Sequence, residues 1–270
     1  MINSSSVERI QRLGEPGIET QTPIAVFDRI AKFAHRQLAL LPEDDPQARE
    51  IRILLYRLGD AKIESGARQL LEEASEKDNP SQALTEGFQE LWNLWGEKVD
   101  IQVNVPPCDR TKEEILALKE MDRMLIYIPP EFSSHKDLDL LMTIFPRIAS
   151  EMKIFGEDLE NLSFQSGWLD VESANELPNK NFSPERLKYL ANAKREPQTL
   201  NTYIIASYVS KILSGEFFEL GYGDCVLFNT ITQDEIPIKV HCARNGRIRL
   251  NRYYPQENRY PVGFRTVGRK

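Results

Sequence analysis

Apolar residues cover most of the circumference of one predicted helix in the second half of the chain. The helix begins after Thr199, whose hydroxyl suits an N-cap, and ends at Gly215, which suits a left-handed C-cap. A helix that is apolar on most sides is typical of a protein core. Its polar stripe is Ser207, Ser210, Lys211 and Ser214. Its apolar residues are Leu200, Tyr203, Ile204, Ile205, Ala206, Tyr208, Val209, Ile212 and Leu213.

The spacing of apolar residues divides the chain into three regions. Residues 1–21 are polar and predict a flexible arm. Residues 22–95 predict a helical region, because apolar residues recur there every three or four positions. Residues 96–270 are the predicted α+β domain. The predicted helices of residues 22–95 run from Pro23 to about Leu41, from Pro46 to about Leu71, and from Leu84 to Gly96.

At Val99 the spacing changes from that of a helix to that of a strand. Apolar and polar residues alternate from Val99 to Val105, which predicts a half-buried strand. Thr111 and Glu114 then form a predicted capping box for a short helix. Further predicted elements are a strand from Met124 to Ile128, a helix from Lys136 to about Lys153 that Pro146 kinks or splits, a strand around Trp168, and a helix that begins at Ser183.

A β-hairpin with a defined register is predicted after the central helix. An Asn-Gly pair signals the turn, but a two-residue turn would place the apolar residues of the two strands on opposite faces. A three-residue loop ending at Gly246 instead pairs Cys242 with Ile248 and Val240 with Leu250. We therefore predict this loop, with Gly246 at a positive φ. The predicted strands are Ile236–Ala243 and Arg247–Tyr254, preceded by Cys225–Ile231.

These elements predict an α+β fold. A helical N-terminal region is followed by a mixed domain, and an antiparallel C-terminal β-hairpin packs on the buried helix that begins after Thr199. A loop from Thr232 to Glu235 between the first two C-terminal strands would place Cys225 opposite Cys242.

The predicted register gives the hairpin a second, basic face. Cations beside an aromatic ring suit phosphate contacts and base stacking, which predicts a non-catalytic protein that binds nucleic acid or an acidic partner. The alternative is a solvated outer face of a two-layer fold. We call this surface the hairpin face; it consists of Lys239, His241, Arg247, Arg249, Asn251 and Tyr253, and all of these except Asn251 are predicted nucleic-acid contacts.

Net charge is distributed unevenly along the chain. The whole chain has a net charge of −7, whereas residues 236–270, the basic tail, contain nine basic residues and one acidic residue and have a charge of +8. Such an asymmetry favours contact between the basic part and a polyanion. The alternative is that the acidic remainder of the same protein neutralises the basic tail.

A second functional hypothesis concerns two carboxylates on the strand around Trp168. Asp170 and Glu172 are two residues apart, so both point to the same face of that strand. A pair of this kind could bind a divalent cation or act as acid and base in a hydrolase-like enzyme, with His241 as a further candidate. The alternative is the solvated face of an edge strand.

Composition restricts the classes of protein to consider. Cys108, Cys225 and Cys242 are an odd number of cysteines without a Cys-x-x-Cys pair, which favours a reducing compartment over a disulfide scaffold. The sequence has no apolar run of about 18 residues and no leader pattern, so we expect a cytoplasmic protein without membrane contact. It also has no P-loop or dinucleotide fingerprint, and we expect neither a cofactor nor a metal site.

Four blocks of the sequence resemble a group of uncharacterised proteins from candidate-phylum bacteria with small genomes. The resemblance covers about residues 90–270. It implies no activity, substrate or site. The tail of the group more often contains two glycines and a Ser-Glu-Gly, from which residues 262–268 of this chain depart. The blocks are Arg123–Pro129, Ser166–Glu172, Gln198–Ile205 and Tyr253–Gly268.

Overall fold

The protein is an α+β structure with helices first and sheets after them, as its sequence predicts. The computed structural model describes residues 23–42, 45–74, 78–145, 159–174, 176–180, 194–218, 223–242, 248–257 and 262–269. Several predicted features lie outside these ranges, namely the arm (residues 1–21), Pro146, the helix that begins at Ser183, and Gly246.

The secondary-structure elements are numbered here in chain order. The helices of the described residues are α1 (Pro23–Leu38), α2 (Pro46–Glu73), α3 (Pro80–Glu97), α4 (Lys112–Glu120), α5 (Leu138–Ile144) and α6 (Leu200–Ser214). The strands are β1 (Arg123–Ile128), β2 (Leu159–Asn161), β3 (Gly167–Glu172), β4 (Arg195–Pro197), β5 (Asp224–Thr232), β6 (Pro237–Cys242), β7 (Ile248–Arg252), β8 (Val262–Gly263) and β9 (Thr266–Gly268). None of these helices is both long enough and apolar enough to cross a membrane.

The chain divides into two compact units, Met1–Gln69 and Leu70–Lys270. In the first unit, α1 and the first part of α2 pack around Ile30, Ala34 and Ile51. The second unit begins before the predicted boundary at residue 96 and includes α3. This helix packs on β1, where the Trp92 indole N–H donates to the Tyr127 carbonyl at 3.0 Å.

Two sheets form the framework of the second unit. The first sheet has the order β1-β3-β9-β4, and all of its neighbouring strands are antiparallel. The second sheet has the order β2-β5-β6-β7, again antiparallel, and β8 pairs with β5 in parallel. Neither β8 nor β9 is among the elements that the sequence predicts. The chain passes from one sheet to the other within the few residues that separate these two strands.

The predicted register of the hairpin is confirmed. Cys242 pairs with Ile248 and Val240 pairs with Leu250, and all four are buried. The predicted pairing of Cys225 with Cys242 is wrong, because Cys225 pairs with Val240. Two differences add up: Ile231 pairs with Pro237 instead of Ile236, and an irregularity in β5 between Leu227 and Ile231 then shifts the register by three residues.

The strand predicted from Val99 to Val105 is absent. The predicted alternation of buried and exposed residues is nevertheless observed, since Val103 and Val105 are buried while the polar residues between and before them are exposed. The backbone, however, bonds to a side chain instead of a neighbouring strand. The Gln89 amide donates to the Val103 carbonyl at 2.9 Å and accepts from the Val105 N–H at 2.9 Å. A glutamine on α3 thus replaces a strand partner.

Helix α6 is the predicted central helix of the second unit. Thr199 is its N-cap and Gly215 its left-handed C-cap, with a φ of 81°. Leu200 and Ile204 are fully buried, whereas Tyr208 is half-buried and stacks on Phe145. The predicted polar stripe is wrong for two of its four members, because Ser207 and Ser210 are buried. Their hydroxyls bond to the Phe218 N–H and the Glu216 carbonyl, respectively, in the turn that follows the helix.

Buried polar groups fix the N-terminal end of α6. The backbone N–H of Thr199 donates to the Gln165 side chain at 2.9 Å, and that of Leu200 donates to the Thr230 hydroxyl at 2.8 Å. The Asn201 amide donates to the carbonyls of Phe132 and Ser134. The first backbone donors of a helix have no partner within it, so these bonds satisfy groups that burial would otherwise leave unpaired. Helix α6 itself contacts β1 of the first sheet and β5 of the second.

Candidate functional site

The hairpin face is built by the register of β6 and β7. Lys239 pairs with Asn251 and His241 pairs with Arg249, so these four side chains alternate with the buried residues of both strands. Arg249 and Asn251 are exposed, while Lys239 and His241 are half-buried. Arg247, another predicted member of the face, lies outside the described residues. The structure therefore brings three of the five predicted nucleic-acid contacts together on two adjacent strands.

A buried carboxylate lies beside this face. Asp224 begins β5 and is 5% exposed. Its Oδ2 lies 3.3 Å from the Lys239 ammonium, and its Oδ1 lies 3.0 Å from Nδ1 of His241. Because an ionised carboxylate only accepts hydrogen bonds, Nδ1 of His241 donates to it. Asp224 therefore orients two basic side chains and also supplies a negative charge next to them.

The remaining predicted contact, Tyr253, follows β7. Its backbone N–H donates to the Pro237 carbonyl at 2.8 Å, which continues the pairing of the hairpin beyond the strand. Its half-buried ring packs edge-to-face on Phe228, with ring centroids 6.2 Å apart. Phe228 thus restricts the orientation of the Tyr253 ring.

Several cations of the basic tail contact acidic residues of the same protein. Arg252 lies 3.1 Å from Asp234, and Arg269 lies 3.1 Å from Glu196. Both pairs are partly exposed, so each contributes little to stability. Together with the Lys239 contact to Asp224, they support intramolecular neutralisation for part of the tail. Arg249 is an exposed residue of the hairpin face.

Asp170 and Glu172 share a face of β3, as predicted. Asp170, however, is paired with two arginines, and Glu172 is bonded to Thr266 and lies near one arginine. Asp170 Oδ1 accepts from Nε of Arg123 and, at 2.8 Å, from Arg195. Glu172 accepts from the backbone N–H of Thr266 at 2.8 Å and from its hydroxyl, and lies 3.4 Å from Arg123. We call Arg123, Asp170, Glu172 and Arg195 the ionic cluster. Its members lie on β1, β3 and β4, and Glu172 and Arg195 both bond to Thr266 of β9, the strand between β3 and β4.

Two features of the last residues complete the surroundings of this cluster. A Cβ at Gly268 would overlap the Asp170 carboxylate and the Arg195 guanidinium, so a larger residue there would displace this ion pair. Arg265 is fully buried, stacks on Phe218 with its guanidinium 3.6 Å from the ring centroid, and donates to the carbonyls of Glu172, Ala174 and Glu176. A buried guanidinium that satisfies three carbonyls holds the chain after β3 in place.

The candidate catalytic residues lie on different sheets. Asp170 and Glu172 lie on β3 in the first sheet, whereas His241 lies on β6 in the second. Within the described ranges, no group of three or more histidine, cysteine, aspartate or glutamate side chains is arranged to hold a metal ion. All three cysteines are buried thiols that form no disulfide. Cys242 also points to the opposite side of β6 from His241, so the two cannot act as nucleophile and base.

Sequence reasoning missed Asp224, Arg123, Arg195 and Arg265. Their shared property is a long-range partner, since 47 residues separate Arg123 from Asp170 and 93 separate Arg265 from Glu172. An acidic residue at the start of an apolar strand was the one local signal for Asp224. Comparison with protein-family models, curated proteins and solved structures found no match to this chain.

Proposed function

We propose that this protein is a non-catalytic binding protein that binds single-stranded nucleic acid on the hairpin face. The observation that carries the proposal is the register of β6 and β7, which places Lys239, His241, Arg249 and Asn251 on one side of the sheet. Basic side chains that lie together on one side of a sheet suit contacts with phosphates, and an amide such as that of Asn251 suits hydrogen bonds to base edges. The proposal does not use Asp170 or Glu172, because Asp170 is paired with two arginines and Glu172 accepts a hydrogen bond from Thr266.

Asp224 supports a binding role because it orients the basic side chains in advance. A lysine normally loses side-chain entropy when it contacts a ligand, and an existing contact reduces that loss. Lys239 and His241 are already held by the Asp224 carboxylate and remain partly exposed, at 18% and 28% of their side-chain surfaces. A phosphate on the hairpin face would find both groups in position, with the exposed Arg249 next to them.

Changing Arg249 to Ala should weaken binding of a single-stranded oligonucleotide and reduce its salt dependence. Each neutralised phosphate of a single strand contributes about 0.7 to the slope of log affinity against log salt, so the slope should fall by about that amount. Asp224→Asn keeps a side chain of the same shape with an oxygen that accepts hydrogen bonds from the basic groups, but it removes the negative charge beside the face and should strengthen binding. The measurement is fluorescence anisotropy of labelled single-stranded RNA and DNA over a series of salt concentrations.

Arg36→Ala is the matched control, because Arg36 is an exposed arginine of α1 in the other unit. It should leave the slope unchanged. Absence of binding at low salt would disprove the proposal, as would an equal loss of affinity in the Arg36 and Arg249 variants. Tighter binding of a poly-glutamate peptide than of either oligonucleotide would identify an acidic protein partner instead.

Changing Tyr253 to Ala should weaken oligonucleotide binding through lost stacking, by about 1–3 kcal/mol, and leave the salt slope nearly unchanged. The ring is half-buried against Phe228, so its orientation is set before binding. The same anisotropy titrations measure both quantities. Tyr253→Phe should retain most of the affinity, and a full loss in that variant would contradict stacking.

A further inference from the structure

The charge of the hairpin face depends on the protonation of one side chain, the imidazole of His241. An imidazole gains a proton between about pH 8 and pH 5, whereas lysine and arginine side chains stay charged over that range. The chain has three histidines. His35 lies on α1 and His135 lies shortly before α5, so only His241 belongs to β6 and to the hairpin face.

The strands beside His241 place three charged groups next to it. Asp224 of β5 has its Oδ1 3.0 Å from Nδ1 of the imidazole. Lys239, two residues earlier on β6, lies 3.3 Å from the other oxygen of the same carboxylate. Arg249 is the partner of His241 on β7. On the far side of β5, β8 pairs Val262 with Asp224 and adds no charge there.

Protonation of His241 doubles the net charge of this group. Lys239 and Arg249 carry two positive charges and Asp224 carries one negative charge, so the net charge is +1 with a neutral imidazole and +2 with an imidazolium. In both forms Nδ1 donates to the Asp224 carboxylate, because the second proton is added at Nε2. The ring therefore keeps its orientation while its charge changes.

We propose that protonation of His241 controls the affinity of the hairpin face for single-stranded nucleic acid, so that binding strengthens as the pH falls. This inference rests on the proposed function and concerns the regulation of the same site. A polyanion on the face favours the imidazolium over the neutral ring, so binding takes up a proton. Because the two events are linked, a higher proton concentration must then raise the affinity for the polyanion.

The first measurement is fluorescence anisotropy of a labelled single-stranded RNA at about pH 8 and about pH 5.5, on either side of the range in which an imidazole titrates. The affinity should be about three- to tenfold higher at the lower pH, and the salt slope should be larger by about 0.7, the contribution of one further phosphate contact. His241→Gln should remove most of this difference, because its amide can still donate to Asp224 but never becomes charged. His241→Lys should bind tightly at both pH values.

His35→Gln is the matched control, because His35 is an exposed histidine of α1 in the other unit. It should leave the pH dependence of RNA binding unchanged. Calorimetric titrations in two buffers with different ionisation enthalpies then measure the protons taken up on binding. Uptake should be clear in the natural chain and in His35→Gln, and nearly absent in His241→Gln.

The outcomes separate this inference from the proposed function. RNA binding of equal affinity at both pH values would overturn the inference, as would equal proton uptake by the natural chain and His241→Gln, and either result would leave nucleic-acid binding in place. Absence of RNA binding at both pH values and low salt would reject the proposed function, and the inference with it.

Discussion

Changing Asp170 to Ala should lower the free energy of unfolding by about 3–5 kcal/mol, because it leaves two largely buried arginines without their main acceptor. The side chains of Arg123, Asp170 and Arg195 are only 11%, 7% and 18% exposed. A buried charge that loses its partner keeps the cost of leaving water and loses the attraction that offset it. The measurement is urea unfolding followed by tryptophan fluorescence. All three tryptophans, Trp92, Trp95 and Trp168, lie in the second unit.

Glu176→Ala is the control for this variant. The Glu176 carboxylate is 87% exposed and lies 3.9 Å from Lys180, so its removal should change stability by less than about 0.5 kcal/mol. A loss below about 1 kcal/mol for Asp170→Ala would mean that solvent or Glu172 compensates the arginines. The ionic cluster would then not hold the first sheet together.

Changing Ile204 to Ala should lower the free energy of unfolding by about 2–5 kcal/mol. Ile204 is fully buried on α6, which contacts both sheets, so the truncated side chain leaves a cavity between elements that cannot all close around it. The same urea experiment measures this loss.

Leu162→Ala provides the comparison, because Leu162 is an apolar residue of the second unit that is 56% exposed. Its truncation removes little buried surface and should change stability by less than about 0.5 kcal/mol. If Ile204→Ala costs less than about 1 kcal/mol, α6 is peripheral to the energetics of the second unit.

The parts of the fold that the sequence predicts correctly depend on local patterns. Both caps of α6 and its buried apolar residues are visible within residues 199–215, and the structure confirms the caps and the burial of Leu200 and Ile204. The register of β6 and β7 follows from alternation on either side of a single turn, so Val240 and Leu250 are placed correctly. A short connection leaves few ways to pair two strands, and the apolar pattern selects among them.

The sequence-based predictions fail where the partner of a residue is distant in sequence, or where a side chain takes the place of a neighbouring strand. Alternation from Val99 to Val105 records burial correctly, but it does not reveal that Gln89 of α3 bonds to this backbone. The irregularity in β5 has no clear sequence signature, and it displaces Cys225 from its predicted partner. Asp224 and Arg265 acquire their roles only through tertiary contacts. For the same reason, the hairpin face was predictable in composition but not in its pairing with Asp224.

The position of β9 determines when the second unit can form during protein synthesis. β9 lies between β3 and β4 and is the strand neighbour of β4 in the first sheet. A nascent chain that has not yet released Thr266–Gly268 from the ribosome therefore has an open edge on β3 and no partner for β4. The first unit, by contrast, has all of its residues by Gln69. The N-terminal helices can thus fold early in translation, whereas the first sheet must wait, with strand edges exposed to aggregation or available to chaperones until β9 arrives.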